Sequence, residues 1–314
     1  MAIVDPGSNL EAVFTHIQPF PYLHLRRPPA RGASSRPRRT PGPLAYLRAR
    51  NRQPRTAAQE EGMLIEQTIE KLIAMRLQGM VEALRHWLDS PKEKEIAPAD
   101  LAGLLADGEW LFRENRKLSS RLRNAKLKQP ACVEDIDYSH PRGLQKAIML
   151  ELASSRWVHN HQSIILSGPT GAGKSYLACA LGNKACRDGY TVAYHRLPRL
   201  FDELAQARAD GTYPDLLRRL AKTQVIVLDD FGLEVLGARE RKDLLEILED
   251  RYGVASTILT TQRDPKEWHA VIGDETIADA ICDRLVNKAH RIRLTGDSMR
   301  KLGEPLTKGK NRDN

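Results

Sequence analysis

The chain has little of what would place it in a membrane, in an oxidising compartment or among the hydrolases built on a nucleophilic triad. Its four cysteines, Cys132, Cys179, Cys186 and Cys282, form no C-x-x-C pair and no cysteine–histidine cluster of zinc spacing. They read as reduced thiols of an intracellular protein. No apolar run approaches the roughly 18 to 20 residues that span a bilayer, and the first residues lack a basic-then-apolar leader pattern. A cytoplasmic protein without a membrane partner is expected. The nine histidines are scattered, and no Ser/His/Asp or Cys/His set can be argued from spacing. Acidic residues are scarce at the start: residues 1 to 62 hold ten arginines against four acids, so +6 of the formal +9 sits there. The rest of the chain is only mildly basic.

At 314 residues the chain is long enough for one α/β domain with a smaller domain and a tail. Residues 19 to 56 are crowded with Pro and Arg and offer few apolar positions to bury, so residues 1 to 62 are expected to form a disordered extension. The composition changes at Met63, which marks that residue as a candidate translation start and the preceding stretch as a gene-model artefact. From 63 to 130 apolar residues recur at helical spacing, Leu64, Ile69, Leu72, Ile73, Leu77, Met80, Leu84, Trp87 and Leu88, then Leu101, Leu104, Leu105, Trp110 and Leu111. Pro91 and Pro98 separate the helices of this small domain. Its last helix carries Arg113, Arg116, Lys117, Arg121, Arg123, Lys126 and Lys128 against one acid, Glu114. A face of one sign suits the phosphate backbone of double-stranded DNA, which would put the protein at the nucleoid. The competing reading is a solvated face beside the next domain.

Residues 131 to 304 read as a second domain, followed by a basic tail at 305 to 314. A polar linker leads into a helix at about 142 to 157. Beyond it, apolar strands at 163 to 167, 191 to 194, 224 to 229, 256 to 261 and 290 to 294 alternate with helical pattern. The fold class expected is α/β, a mainly parallel sheet covered by helices on both faces.

Residues Gly168, Pro169, Thr170, Gly171, Ala172, Gly173, Lys174 and Ser175 spell GPTGAGKS, a complete phosphate-loop pattern. It follows the apolar strand at 163 to 167 and opens a helix at Tyr176. Glycines at 168, 171 and 173 allow positive φ, so backbone N–H groups can converge on the phosphates of ATP at a helix amino terminus. Lys174 would reach the β- and γ-phosphates and Ser175 would hold Mg²⁺.

Val225-Ile226-Val227-Leu228-Asp229-Asp230 is an apolar strand that ends in two carboxylates, the Walker B pattern. Asp229 is assigned to Mg²⁺ and Asp230 to the attacking water as general base. Adjacent strand residues face opposite ways, which suits two roles. The strand at 256 to 261 ends in polar residues, of which Gln262 would orient the water, with Thr261 second. A plain polar strand exit is the alternative. Arg284, on an amphipathic helix, could serve a neighbouring subunit's phosphate or be an ordinary solvated arginine.

These stretches, with Asp279-Ala280-Ile281-Cys282-Asp283-Arg284-Leu285-Val286 and Gly296-Asp297-Ser298-Met299-Arg300-Lys301, stand in one order over residues 63 to 304. Together they resemble the IstB-like transposition helper ATPases, AAA+ proteins related to the DnaC-type helicase loaders. The resemblance implies a P-loop AAA+ three-layer α/β/α domain preceded by a small all-α domain. It implies an ATPase of an insertion sequence that assembles on DNA as an ATP-bound homo-oligomer and recruits or stimulates a separate transposase. Carried over by position, Lys174 and Ser175 match Walker A, Asp229 and Asp230 Walker B, Gln262 the sensor, and Arg284 an arginine finger acting across the subunit interface. Walker B ends in Asp-Asp rather than Asp-Glu, consistent with slow, switch-like hydrolysis. Arg300 has no assigned role. A helicase loader and a non-hydrolysing DNA-binding adaptor are the alternative functions.

Overall fold

The computed structural model describes residues 57–90, 96–296, 298 and 299. The Pro/Arg-rich stretch 19 to 56, Arg300 and the tail 305 to 314, which carry expectations above, lie outside these residues.

The helical segment consists of α1 (Ala57–Ala74), α2 (Gln78–Asp89) and α3 (Pro98–Ala125). The change of composition at Met63 falls inside α1, six residues after its first residue. A break at residues 75 to 77 separates α1 from α2 without glycine or proline; Arg76 takes φ 61° there. Helices α2 and α3 touch where Gly79 faces Gly108, and a Cβ on Gly79 would lie 2.4 Å from the Gly108 carbonyl oxygen. Glu109, buried in this contact, accepts bonds from the Gly79 N–H at 2.8 Å and the Met80 N–H at 3.2 Å. Those are two of the donors that the first turn of α2 leaves without helical partners. Pro98 starts α3, where its missing N–H costs nothing. Lys126, at φ 49° and ψ 39°, ends α3 in the left-handed conformation.

Residues 131 to 145 form a linker with a short 3₁₀ turn at Val133–Asp135. The single helix expected at about 142 to 157 is two short ones, α4 (Lys146–Leu152) and α5 (Arg156–His159). Between them Ser155 adopts φ 56° and its hydroxyl donates to Asp188 at 2.7 Å, which fixes the break.

Strand β1 (Ser163–Ser167) leads through the phosphate loop into α6 (Lys174–Arg187). Then follow β2 (Val192–Arg196), α7 (Leu197–Ala209), α8 (Tyr213–Lys222), β3 (Val225–Phe231), α9 (Ala238–Arg251), β4 (Ser256–Thr261), α10 (Trp268–Ile272), α11 (Glu275–Val286) and β5 (Ala289–Arg293). The five strands lie in the order β2-β3-β4-β1-β5, every pairing parallel. Alternation along each strand feeds two cores. Ile164, Leu166, Val225 and Val227 face α6 and the end of α3, while Ile165, Ile226 and Leu228 face α7, α8, α9 and α11. This is the three-layer α/β/α arrangement of a P-loop AAA+ domain. Strand β4 pairs with β1 on one side and β3 on the other, so its carboxyl end lies beside both nucleotide-motif strands. No helix among the described residues is long and apolar enough to cross a membrane.

Candidate nucleotide site

A cleft of about 910 Å³ opens at the carboxyl ends of the strands, lined among others by Lys128, Arg142, Lys174, Tyr176, Asp230 and Gln262. Ligands bind in such positions on open α/β sheets because strand ends, loops and helix amino termini converge there. The phosphate loop forms its floor. Gly171 at φ 85° and Gly173 at φ 95° take conformations that a side chain disfavours. A Cβ on Gly171 would lie 2.0 Å from the Ser298 hydroxyl oxygen, and one on Gly173 would lie 2.5 Å from an Arg142 nitrogen. The glycines are therefore needed twice, for the turn and for close packing.

Lys174 begins α6, and its ammonium donates to the carbonyls of Gly168 at 2.8 Å and Pro169 at 2.9 Å. Thr170 donates to Gln262 Oε1 at 2.8 Å, which ties the loop to the exit of β4. Ala172 is buried and its carbonyl accepts from Arg142 at 3.1 Å. Tyr176 lines the cleft, and its hydroxyl reaches the Asp135 carbonyl at 3.5 Å.

Asp229 is fully buried at the end of β3. The Ser175 hydroxyl donates to its two oxygens at 2.8 and 2.9 Å, the Thr260 hydroxyl to Oδ1 at 2.5 Å, and the Tyr194 hydroxyl to Oδ2. Burial alone would raise the pKa of this carboxyl. The bonds from Thr260, Tyr194 and Ser175 and the charge of Lys128 outweigh it and hold the pKa below the ordinary value, so Asp229 is an anion. Burial and the same carboxylate push the Tyr194 hydroxyl pKa up, which keeps it a donor. Ser175 and Asp229 are hard oxygen donors. Among the described residues no group of three or more His, Cys, Asp or Glu could hold a metal. Both facts suit Mg²⁺, which binds through one or two protein oxygens and completes its shell with phosphate and water rather than a protein cage.

Asp230 corrects one expectation. Regular alternation would send it away from Asp229, but β3 carries an irregularity between Leu228 and Phe231, and Asp230 has φ 68°. Its N–H donates to the Thr260 hydroxyl at 3.1 Å, and Arg196 Nε donates to its Oδ2 at 2.7 Å. Both carboxylates thereby serve one cleft. Aspartate tolerates the left-handed region better than most residues.

Gln262 is exposed at the cleft rim and bound to Thr170; Thr261 is buried, its hydroxyl accepting from the Arg263 N–H at 3.0 Å. Arg284 is not brought into this cleft. It pairs with Glu249 at 2.5 Å and lines a separate small depression with His161, Ser163 and Tyr252.

The basic face of α3 is divided. Arg113 pairs with Glu109 at 2.7 Å, Lys117 with Glu114 at 2.8 Å, and Arg121 donates to the Gly189 carbonyl at 3.4 Å. Arg116, Arg123 and Lys126 are exposed. Lys128 points into the nucleotide cleft, 3.2 Å from Asp229 Oδ2.

Residues 70–305 match the model of the family described as IstB-like ATP binding protein. The chain belongs to that family. It is similar to the insertion-sequence protein y4pL of Sinorhizobium fredii (strain NBRC 101917 / NGR234), named for ATP binding, at 49% identity over 239 residues, 76% of this chain and 98% of that one. A second protein of that strain, y4uH, named likewise, is 43% identical over 243 residues, 77% of this chain and 98% of its own. Among solved structures the chain is similar to DnaI, with 23% identity, TM-score 0.46, and coverage of 56% of this chain and 94% of that one.

Several residues of this IstB-like site were not singled out from sequence. Tyr194 and Arg196 alternate on β2 and face Asp229 and Asp230, a contact that requires knowing that β2 is the neighbour of β3. Thr260 sits one residue before the position considered for the sensor. Arg142, only 3% exposed, clamps Ala172 and accepts no partner at Nε; nothing in its Pro-Arg-Gly context marks it.

Proposed function

We propose that this IstB-like protein is an Mg²⁺-dependent ATPase of an insertion sequence that assembles on double-stranded DNA in its ATP-bound form and recruits or stimulates a separate transposase. The observation that carries the nucleotide part is the junction of Ser175 with Asp229 at 2.8 Å, which joins phosphate loop and Walker B strand at one point. The names of y4pL and y4uH support the insertion-sequence setting.

The residues divide the work. Backbone N–H groups of Gly171 to Ser175 take the phosphates at the amino terminus of α6. Lys174 turns from its own loop carbonyls to the β- and γ-phosphates, and Ser175 with Asp229 holds the metal. Bound Mg²⁺ bridges phosphate oxygens and draws charge from the transferring group. Asp230 accepts the proton of the attacking water, which Gln262 orients. The ion pair with Arg196 stabilises the Asp230 carboxylate as an anion and so weakens it as a base, which favours slow, switch-like turnover. Arg284 would act on a neighbouring subunit, and Arg116, Arg123 and Lys126 are the basic residues of α3 placed to meet DNA phosphates.

Lys174→Ala should abolish ATP binding and, with it, ATP-dependent assembly on duplex DNA, followed by calorimetry and by electron microscopy. Asp230→Ala should keep ATP binding and lose hydrolysis. Assembly unaffected by Lys174→Ala would remove nucleotide from the function.

A further inference from the structure

Lys128 is the residue in the cleft that the phosphate-loop chemistry leaves unexplained. Its sequence setting is a basic helix, yet it lies beyond the end of α3 and its ammonium is 3.2 Å from Asp229 Oδ2. Two features fix it there. The left-handed turn at Lys126 redirects the chain as α3 ends. Ala125 is fully buried, and Leu127 packs at Gly182 of α6, where an added Cβ would come 3.2 Å from Leu127 Cδ2. The backbone on the amino side of Lys128 is thus held against α6, and the side chain, 43% exposed, keeps a flexible four-carbon stem.

Asp229 takes hydrogen bonds from Ser175, Thr260, Tyr194 and Lys128. Of these four donors Lys128 alone carries charge. A fully buried carboxylate is costly without a compensating cation, so Lys128 balances the carboxylate assigned to the metal. An ammonium and a divalent ion on that one carboxylate would stand within roughly 4 Å of each other, a separation at which like charges in a partly buried site repel strongly. The nearest alternative acceptors for the ammonium are the phosphates of a nucleotide in the same cleft.

We propose that Lys128 is the resident counter-cation of Asp229 and gives up that place to Mg²⁺ when Mg-ATP binds, its ammonium moving to the nucleotide's phosphates. The inference rests on the Mg-ATP reading above. It assigns Lys128 a positioning role at the nucleotide site and removes it from the DNA-facing set. A purely structural ion pair, tying the end of α3 to the sheet, is the competing account.

The two differ in how nucleotide affinity depends on metal. In the full chain, Lys128→Met keeps the length of the stem and removes the charge. ATP without metal then meets an unbalanced Asp229, and its dissociation constant in EDTA should rise about tenfold or more, a change of about 1.4 kcal/mol. Mg-ATP supplies its own cation, so its dissociation constant should move by no more than about threefold. Lys128→Arg should keep the wild-type ratio of the two constants. Calorimetric titration with ATP in EDTA and in excess Mg²⁺ reads both, and thermal unfolding shows that each variant is folded. Lys128→Gln, also uncharged, repeats the measurement if the methionine variant does not fold. Equal losses in both conditions, or none in either, overturn the proposal and leave the structural pair. Wild-type protein that binds no ATP in either condition overturns the nucleotide reading itself, whereas ATP binding with an invariant ratio overturns the Lys128 role alone.

Discussion

At the scale of single residues, the structure spends buried charge in two ways. Asp229 is buried because its chemistry is needed at the cleft. Arg251, 1% exposed, is buried for the fold. Its guanidinium donates to the carbonyls of Leu220 at 2.5 Å, Thr223 at 2.6 Å and Ser256 at 2.5 Å, and these bonds join the end of α8 to the start of β4. The first two are carbonyls at a helix end, which no helical N–H can satisfy. Arg251→Met would strand three buried acceptors. With each stranded group costing about 1–3 kcal/mol, the variant should lose about 3 kcal/mol or more of unfolding free energy in urea. Arg251→Lys, with one compact ammonium in place of a fork, should fall between the two. A loss below about 0.5 kcal/mol, ordinary for a surface substitution, would show that the carbonyls find other partners.

At the scale of elements, Glu109 joins α2 to α3. Burial acts to raise the pKa of its carboxyl. The Arg113 bond and the Met80 and Gly79 N–H groups outweigh this and hold the pKa below the ordinary value. A depressed carboxyl contributes stability above its unfolded pKa and loses it as pH falls through the folded one. Glu109→Gln should therefore lower Tm at neutral pH, and the gap to wild type should close below about pH 4 as the wild-type carboxyl protonates. A gap that persists unchanged in acid would assign the effect to packing alone. Which elements were legible in sequence follows the same physics. The loop, β1, β3 and β4 were legible because phosphate chemistry and full burial leave few residue choices. The break at Arg76, the split at Ser155, the turn at Lys126 and the irregularity at Asp230 were not, because each puts a non-glycine residue at positive φ. Tertiary contacts such as Ser155 with Asp188 and Asp230 with Thr260 and Arg196 hold two of these, and no local pattern announces them.

At the scale of the whole molecule, the cleft and Arg284 raise a question that one copy of the chain does not answer. Arg284 is held by Glu249 and Asp283, 2.5 and 3.6 Å away, in a depression outside its own nucleotide cleft. If it acts in hydrolysis, it acts on another copy. A head-to-tail contact puts different surfaces of two identical chains together, so the ATP-binding half and the arginine-donating half of a site come from different subunits. Lys174→Ala and Arg284→Ala would then fail for different reasons. The first chain binds no ATP but still presents Arg284; the second binds ATP with wild-type affinity but leaves its neighbour without the arginine. Each alone should be inactive, since an arginine finger contributes on the order of 10³ or more in rate. Mixed in equal amounts, about a quarter of the contacts should pair an intact phosphate loop with an intact arginine, and hydrolysis should return in proportion. Steady-state phosphate release measured across mixing ratios reads this directly. Activity that stays at the level of the separate variants at every ratio would place Arg284 in the fold, as the partner of Glu249, and not in the reaction.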